Sequence, residues 1–315
     1  MRIRKALPTV TIVSGSLALV GAVLALADTS GAHSGSGQAP ITPAAQAATP
    51  VAQAAIASGG QAKTPATRTS AQLASAVSAL ITADQGHVSV AVENLNTNAT
   101  ASYNISDGYV TASIVKLDIL CTMLYQDQVS GHSPTSSELS LATTMIENSD
   151  NDSAQHLFED EGGYPAITAA NKVFGLTDTV VEHDSVDEAG YSWGDTTTSA
   201  LDQLRLLREV FTTGSVLTSA NRGYIENLMG HVEADQRWGV SAAASDPSST
   251  GSDYMLKNGW LSRRTTNLWE INSIGEVQHD GQKYLVAVLS NNNTTMDSGI
   301  KVVQQVAEAA VNASP

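Results

Sequence analysis

Between residue 70 and the C-terminus, hydrophobic spacing changes from helical to strand period and back twice. That order restricts the fold more than any other feature of the chain. A helical stretch over 71–83 carries Leu73, Val77 and Leu80 on one face. Strand-period runs follow at 87–95 and 101–105. A block of helices is expected at 113–125, 137–147, 152–160 and 166–173. A further helix follows Asp195-Thr196-Thr197-Thr198, whose side chains suit an N-cap, and helical spacing returns at 219–232. Three strands are expected at 254–261, 267–277 and 283–290, and an amphipathic helix at 297–311. The sequence therefore predicts an α+β (α/β) fold: an antiparallel sheet flanked by helices, with a separate, trimmed all-helical region.

The N-terminal part has a different character. Residues 1–27 combine a basic start (Arg2, Arg4, Lys5) with an apolar run over 17–27 and a small-x-small ending, Ala25-Leu26-Ala27, before Asp28. This pattern predicts a secretory signal. Thr11, Ser14 and Ser16 interrupt the upstream apolar stretch and leave little to span a bilayer, so no stable membrane insertion is expected after cleavage. Residues 28–70 are dominated by Ala, Gly, Ser, Thr, Pro and Gln, which cannot bury enough apolar surface to offset chain entropy. They read as a flexible linker, with 71–315 as the folded domain of a secreted protein that can associate with the cell wall.

Charge and cysteine content narrow the partners. Asp and Glu number 31 against 16 Lys and Arg, a formal net charge of −15, and this field disfavours nucleic acid and anionic lipid. A single cysteine, Cys121, excludes an internal disulfide and a multi-cysteine metal site, and its apolar helix predicts a packed core thiol. The histidines show no metal-ligand spacing, and His183-Asp184 reads as an exposed pair. No cofactor or metal is expected, and the chain reads as a monomer.

The chemistry-bearing residues begin with Ser113-Ile114-Val115-Lys116. At i and i+3 of a helix the hydroxyl and the amine sit one turn apart, and a partly desolvated lysine can take the proton that makes serine a nucleophile. If Ser113 opens the helix, its own N–H is also free to stabilise an oxyanion. A second match, Ser298-Gly299-Ile300-Lys301, opens the last amphipathic helix and reads as a cap with a solvated lysine. Two further motifs follow the first in order: Ser149-Asp150-Asn151, and Lys257-Asn258-Gly259 on a strand that places Lys257 and Gly259 on one face.

With these three motifs in this order, the chain resembles the class A β-lactamases and the related penicillin-binding D,D-peptidases over essentially all of 70–315. The resemblance implies an active-site-serine hydrolase acting on β-lactams or peptidoglycan stem peptides. Ser113 would be acylated, Lys116 would help deprotonate it, and Ser149 would relay a proton to the departing nitrogen. Asn151 would hold Lys116 and the substrate's side-chain amide. Lys257 would hold Ser149 and bind the substrate carboxylate, and Asn258 would supply an amide N–H to the same group. Gly259 would leave room for the substrate backbone, and the Trp260 N–H would join that of Ser113 in the oxyanion hole, with the Trp260 side chain narrowing the cleft.

The chain departs from the family in three places. Ser113 and Ser149 are only 36 residues apart, which trims the helical region. Asn258 stands where a Thr or Ser is usual. The loop before Asp195, VVEHDSVDEAGYSWG, is short and lacks the Glu-x-x-x-Asn pattern. Counting back from Asp195 makes Glu182 the deacylating carboxylate; counting forward gives Ser185, and Glu188 is a third choice. The expected function is hydrolysis of a β-lactam or related amide through acylated Ser113. Its alternatives are a slowly deacylating D-Ala-D-Ala carboxypeptidase or penicillin-binding protein, and a non-catalytic cell-wall binder. A rival nucleophile, Ser192 in Gly190-Tyr191-Ser192-Trp193-Gly194, is preceded by DSVDEA, too acidic for the buried strand an α/β-hydrolase needs.

Overall fold

A computed structural model describes residues 65–81, 86–106 and 108–314. The expected signal, 1–27, and most of the expected linker, 28–70, lie outside the described residues. The elements in chain order are α1 (Pro65–Leu80), β1 (His87–Asn94), β2 (Thr100–Tyr103) and β3 (Tyr109–Val110). Then come α2 (Val115–Ser130), α3 (Ser136–Glu147), α4 (Asn151–Asp160) and α5 (Gly163–Phe174). After a long loop follow β4 (Thr197–Thr198), α6 (Ala200–Phe211) and α7 (Ser219–Met229), and finally β5 (Tyr254–Ser262), β6 (Trp269–His279), β7 (Gln282–Asn293) and α8 (Met296–Ala313).

The five long strands form one antiparallel sheet in the order β2-β1-β7-β6-β5, which puts β5 at an edge. Strand alternation divides the apolar residues between two faces. Val88, Val90 and Val92 of β1, with Val286 and Val288 of β7 and Leu256 of β5, pack with Leu73 and Val77 of α1 and Val302, Val303 and Val306 of α8. Ala91, Leu285, Ala287, Leu289 and Met255 face the other way, into a core with α2 to α7. The expected antiparallel sheet flanked by helices is the observed one.

Local differences have local causes. α1 starts at Pro65, where a missing N–H costs nothing, so the boundary drawn at 70 falls inside this helix. The helix after the threonine run is capped by Ser199, whose side chain accepts the Asp202 N–H, while Thr197 and Thr198 pair as β4 with β3. Ser113 precedes α2 on a 3-10 turn, Ala112–Ile114, instead of opening the α-helix. At the last helix the N-cap is Thr295, with Ser298 completing its capping box and Lys301 exposed. Cys121 is fully buried.

α2 also buries Asp118. Burial raises its carboxyl from 3.8 to about 7; the Asn171 amide opposes this and the charge of Asp202 adds to it. The folded chain therefore keeps this proton up to about pH 7, whereas the unfolded chain releases it near 3.8. Between those values the native state binds more protons, so stability falls as pH rises. Asp118→Asn is expected to melt about 5 °C or more above the wild type at pH 8. The gain should shrink as pH is lowered toward 4, as thermal melts across pH will show.

Candidate active site

The 3-10 turn carrying Ser113 is held by backbone and side-chain bonds from three directions. Thr111 N–H donates to the Thr196 carbonyl at 2.8 Å, Ile114 N–H donates to the Thr111 carbonyl at 3.3 Å, and Asn272 Nδ2 of β6 donates to the Val110 and Thr111 carbonyls at 2.8 and 3.0 Å. Ala112 sits at φ 46°, a region an alanine enters only under constraint from its surroundings. The constraint leaves Ser113 half-buried while Ile114 and Lys116 are fully buried.

β5 closes the turn from the sheet side. A Cβ at Gly259 would lie 2.7 Å from the Thr111 carbonyl oxygen and 2.9 Å from the backbone nitrogens of Ser113 and Ile114. Gly259 therefore makes room for the backbone of the serine turn, which differs from the substrate-clearing role inferred from sequence. Lys257 points from the same strand face and is fully buried, with Nζ donating to Ser149 Oγ at 2.9 Å and the Asn258 carbonyl at 3.0 Å.

Ser149 precedes α4, whose N-cap is Asp150: its carboxylate accepts the Ser153 N–H at 2.7 Å. Ser149 itself sits at φ 56°, a second constrained residue, and this turn aims both its hydroxyl and its carbonyl at Lys116. Lys116 Nζ lies 3.0 Å from Ser113 Oγ, 2.6 Å from the Ser149 carbonyl, 3.2 Å from Ser149 Oγ and 2.6 Å from Asn151 Oδ1. Ser113, Lys116, Ser149, Asn151, Lys257 and Gly259 are thus brought together.

The two shortest of these contacts decide the chemistry. The Ser149 carbonyl and the Asn151 amide oxygen can only accept. A neutral Lys116 amine gives its two hydrogens to them and turns its lone pair to the Ser113 hydroxyl. Burial lowers Lys116 from 10.5 to about 7, with Asp150 and Asp187 pulling the other way, so the neutral form is abundant at neutral pH. Burial holds Lys257 well below its ordinary value, and the neighbouring charge of Lys116 adds to the effect.

Two expected site side chains point away from the cleft, and a third is engaged in its own loop. The Asn258 side chain is fully buried on the opposite face of β5, where Nδ2 donates to the Gln236 and Trp238 carbonyls at 2.7 and 3.1 Å. It offers no amide to the cleft. The Trp260 ring lies on that same far face, edge-on to Trp238 at 5.9 Å, so it does not narrow the cleft as a side chain. Glu182 Oε1 accepts the N–H groups of His183, Asp184 and Ser185 at 2.9, 2.6 and 3.1 Å. These amides hold its carboxyl below the usual carboxylate range and engage Oε1 within its own loop. Glu188 pairs with Arg263 at 3.4 Å and accepts the Arg264 N–H at 3.1 Å.

Other residues complete the surroundings. The buried Trp193 indole faces Lys116, whose Nζ lies 5.1 Å from the ring centroid, and its Nε1 donates to Gln155 Oε1 at 2.9 Å. Tyr191 stacks on Trp193 at 5.0 Å and donates its hydroxyl to Asp152 Oδ1 at 2.8 Å. Ser192 stands in this loop, not between a buried strand and a helix. Among the described residues, no group of three or more His, Cys, Asp or Glu is arranged to hold a metal ion.

Comparison with known proteins adds family and fold. The beta-lactamase enzyme family is matched over residues 72–136 and 126–314. No curated protein matches the sequence. Among solved structures, the TLA-1 extended spectrum beta-lactamase is similar with a TM-score of 0.68 at 15% identity, over 78% of this chain and 99% of that one. A class A beta-lactamase from Bacteroides cellulosilyticus DSM 14838 gives 0.64 at 16% identity, over 78% and 98%. A variant of PBP-A, solved as its acyl-enzyme complex with penicillin G, gives 0.64 at 19%, over 78% and 95%. At such identities the likeness is one of fold.

Proposed function

The chain belongs to the beta-lactamase enzyme family, and we propose that it is an exported, monomeric serine hydrolase acylated on Ser113 by β-lactams or by the related amides of peptidoglycan stem peptides. The observation that carries this reading is the Lys116 amine: 3.0 Å from Ser113 Oγ, oriented by two acceptor-only oxygens at 2.6 Å, and lowered to about 7. In the proposed reaction Lys116 takes the hydroxyl proton as Ser113 Oγ attacks the amide carbonyl. The backbone N–H groups of Ser113 and Trp260 stabilise the oxyanion. Ser149 Oγ, bridging Lys116 and Lys257 at 3.2 and 2.9 Å, passes the proton to the leaving nitrogen. Lys257 meets the ligand carboxylate, whose negative charge favours the ammonium form that burial opposes and so makes the contact charge-assisted. Ligand and lysine are thereby matched within an acidic protein.

A specific observation favours the slowly deacylating form of this reading. The Glu182 carboxylate is engaged by three amides of its own loop, Glu188 is paired with Arg263, and an indole lies over Lys116. In this reading Glu182, engaged by its own loop, does not serve as the base for water in the acyl-enzyme. Intact-mass measurement after mixing with benzylpenicillin and removing the excess tests both steps. An adduct that persists for many minutes is expected. An adduct too brief to trap, with steady hydrolysis of the drug, would restore the rapid β-lactamase reading, and no reaction at all would contradict the hydrolase reading.

A further inference from the structure

The loop between α5 and β4 folds on itself around Asp187, whose Oδ1 accepts the N–H groups of Ala189 and Tyr191 at 2.8 and 2.9 Å. Gly190 at φ 97° permits that turn. Oδ2 is pressed against Gly194, where a Cβ would stand 2.1 Å away. The turn carries two aromatic rings, Tyr191 and Trp193, stacked on each other at 5.0 Å. Both are tied to α4: the Tyr191 hydroxyl donates to Asp152 Oδ1 at 2.8 Å, and Trp193 Nε1 donates to Gln155 Oε1 at 2.9 Å. Asp152 and Gln155 are three residues apart and so are neighbours on the helix surface. The end of the loop is held separately, by Arg263 against Asp195 at 2.6 Å. The Trp193 indole is thereby fixed, 2% exposed, with Lys116 Nζ over its ring at 5.1 Å from the centroid.

That separation decides what fits between ring and amine. A water bonded to Nζ needs about 2.9 Å, and its contact with a ring face about 3.5 Å more, so one in line would need about 6.4 Å. The 5.1 Å here leaves no room for it. The indole also offers water no partner, because its single polar group is a donor already given to Gln155. The other approaches to Nζ are taken by Ser113 Oγ, Asn151 Oδ1, and the carbonyl and hydroxyl oxygens of Ser149. We propose that Trp193 sets the lifetime of acylated Ser113, its indole occupying the face of Lys116 at which water would otherwise be activated. The proposal rests on the Ser113 reading and deepens it, assigning slow release to one side chain. In the step so prevented, water would give a proton to Lys116 Nζ as its oxygen bonds to the ester carbon. The bond from that carbon to Ser113 Oγ would then break, Oγ would regain the proton from Nζ, and the acid would leave. Trp193 acts through Lys116 and is a positioning residue.

The test is an intact-mass time course with benzylpenicillin in wild type, Trp193→Ala and Trp193→Phe, with adduct formation and adduct loss measured separately. Loss from Trp193→Ala should be faster by about tenfold or more, a small part of what a placed base supplies. Formation at neutral pH should be equal or slower, because a hydrated Lys116 regains part of the ammonium form that burial suppresses. General damage to the site would slow both steps, so the opposite signs identify the shielding. Trp193→Phe keeps a ring against the amine without the N–H to Gln155, and should lose its adduct at the wild-type rate. Should removal of a buried indole prevent folding, Trp193→Leu, which fills part of the space without a flat ring, decides the same comparison. Unchanged or slower loss in the folded Ala or Leu variant would overturn the proposal. So would loss as fast in Trp193→Phe as in those variants, or a wild-type adduct too brief to trap. No adduct on any of these proteins would instead remove the hydrolase reading, and this inference with it.

Discussion

Lys116→Met should yield a folded protein whose acylation by a penicillin is slower by about three orders of magnitude, the scale of a lost general base. Methionine preserves most of the buried stem while removing the amine that faces Ser113 Oγ. Replacing a buried lysine by an apolar residue of similar length is not expected to lower the melting temperature, since desolvation already opposes the ammonium. The pH dependence gives the sign independently. Lys116 must be neutral to accept a proton, and its burial places the transition at about 7. The acylation rate should therefore rise with pH, roughly tenfold between pH 6 and 8, and then level. A rate that is flat with pH, or a Lys116→Met protein that acylates normally, would remove the lysine from the chemistry. Stopped-flow measurement with a fluorescent penicillin reads both.

Gly259→Ala is expected to have the second largest effect, although it adds one methyl group. The new Cβ would stand 2.7 to 2.9 Å from three backbone atoms of the serine turn, and backbone cannot rotate out of the way as a side-chain tip can. β5 must then separate from the 3-10 turn, shifting Ser113 relative to Lys116 and Lys257. A displacement of that kind costs about a hundredfold in rate. The accompanying overpacking should lower stability by about 1–3 kcal/mol. The distinguishing result is a lowered acylation rate in protein that remains folded by near-ultraviolet circular dichroism. Unchanged acylation would mean that strand and serine turn are not coupled as described.

Much of this was legible in the sequence because it rests on local pattern. The strand alternation of 283–290 and the helical spacing of 113–125 are consequences of which side each residue must bury. The six residues that converge on the site were legible as three short motifs. Asn258 was also legible, in the sense that period two already placed it on the face opposite Lys257; the resemblance to a threonine or serine position obscured this. Glu182 is a different case. Its carboxylate is captured by the three amides that follow it, a turn made by the backbone of residues 183–185, which composition does not reveal. Least legible was the approach of Trp193 to Lys116. It depends on a loop closing across more than seventy residues of chain and on Gly194 having no Cβ, neither of which has a periodic signature. The φ of 46° at Ala112 is similar, since nothing in an alanine announces it.

The claim at the centre of this account is that one hydroxyl, that of Ser113, carries the covalent chemistry. Its most direct test is to treat the protein with benzylpenicillin, quench, digest, and locate the modified residue by tandem mass spectrometry. The account predicts the penicilloyl group on Ser113, absent from the Ser113→Ala variant. An adduct on Ser192, or none on a protein shown to be folded, would contradict it.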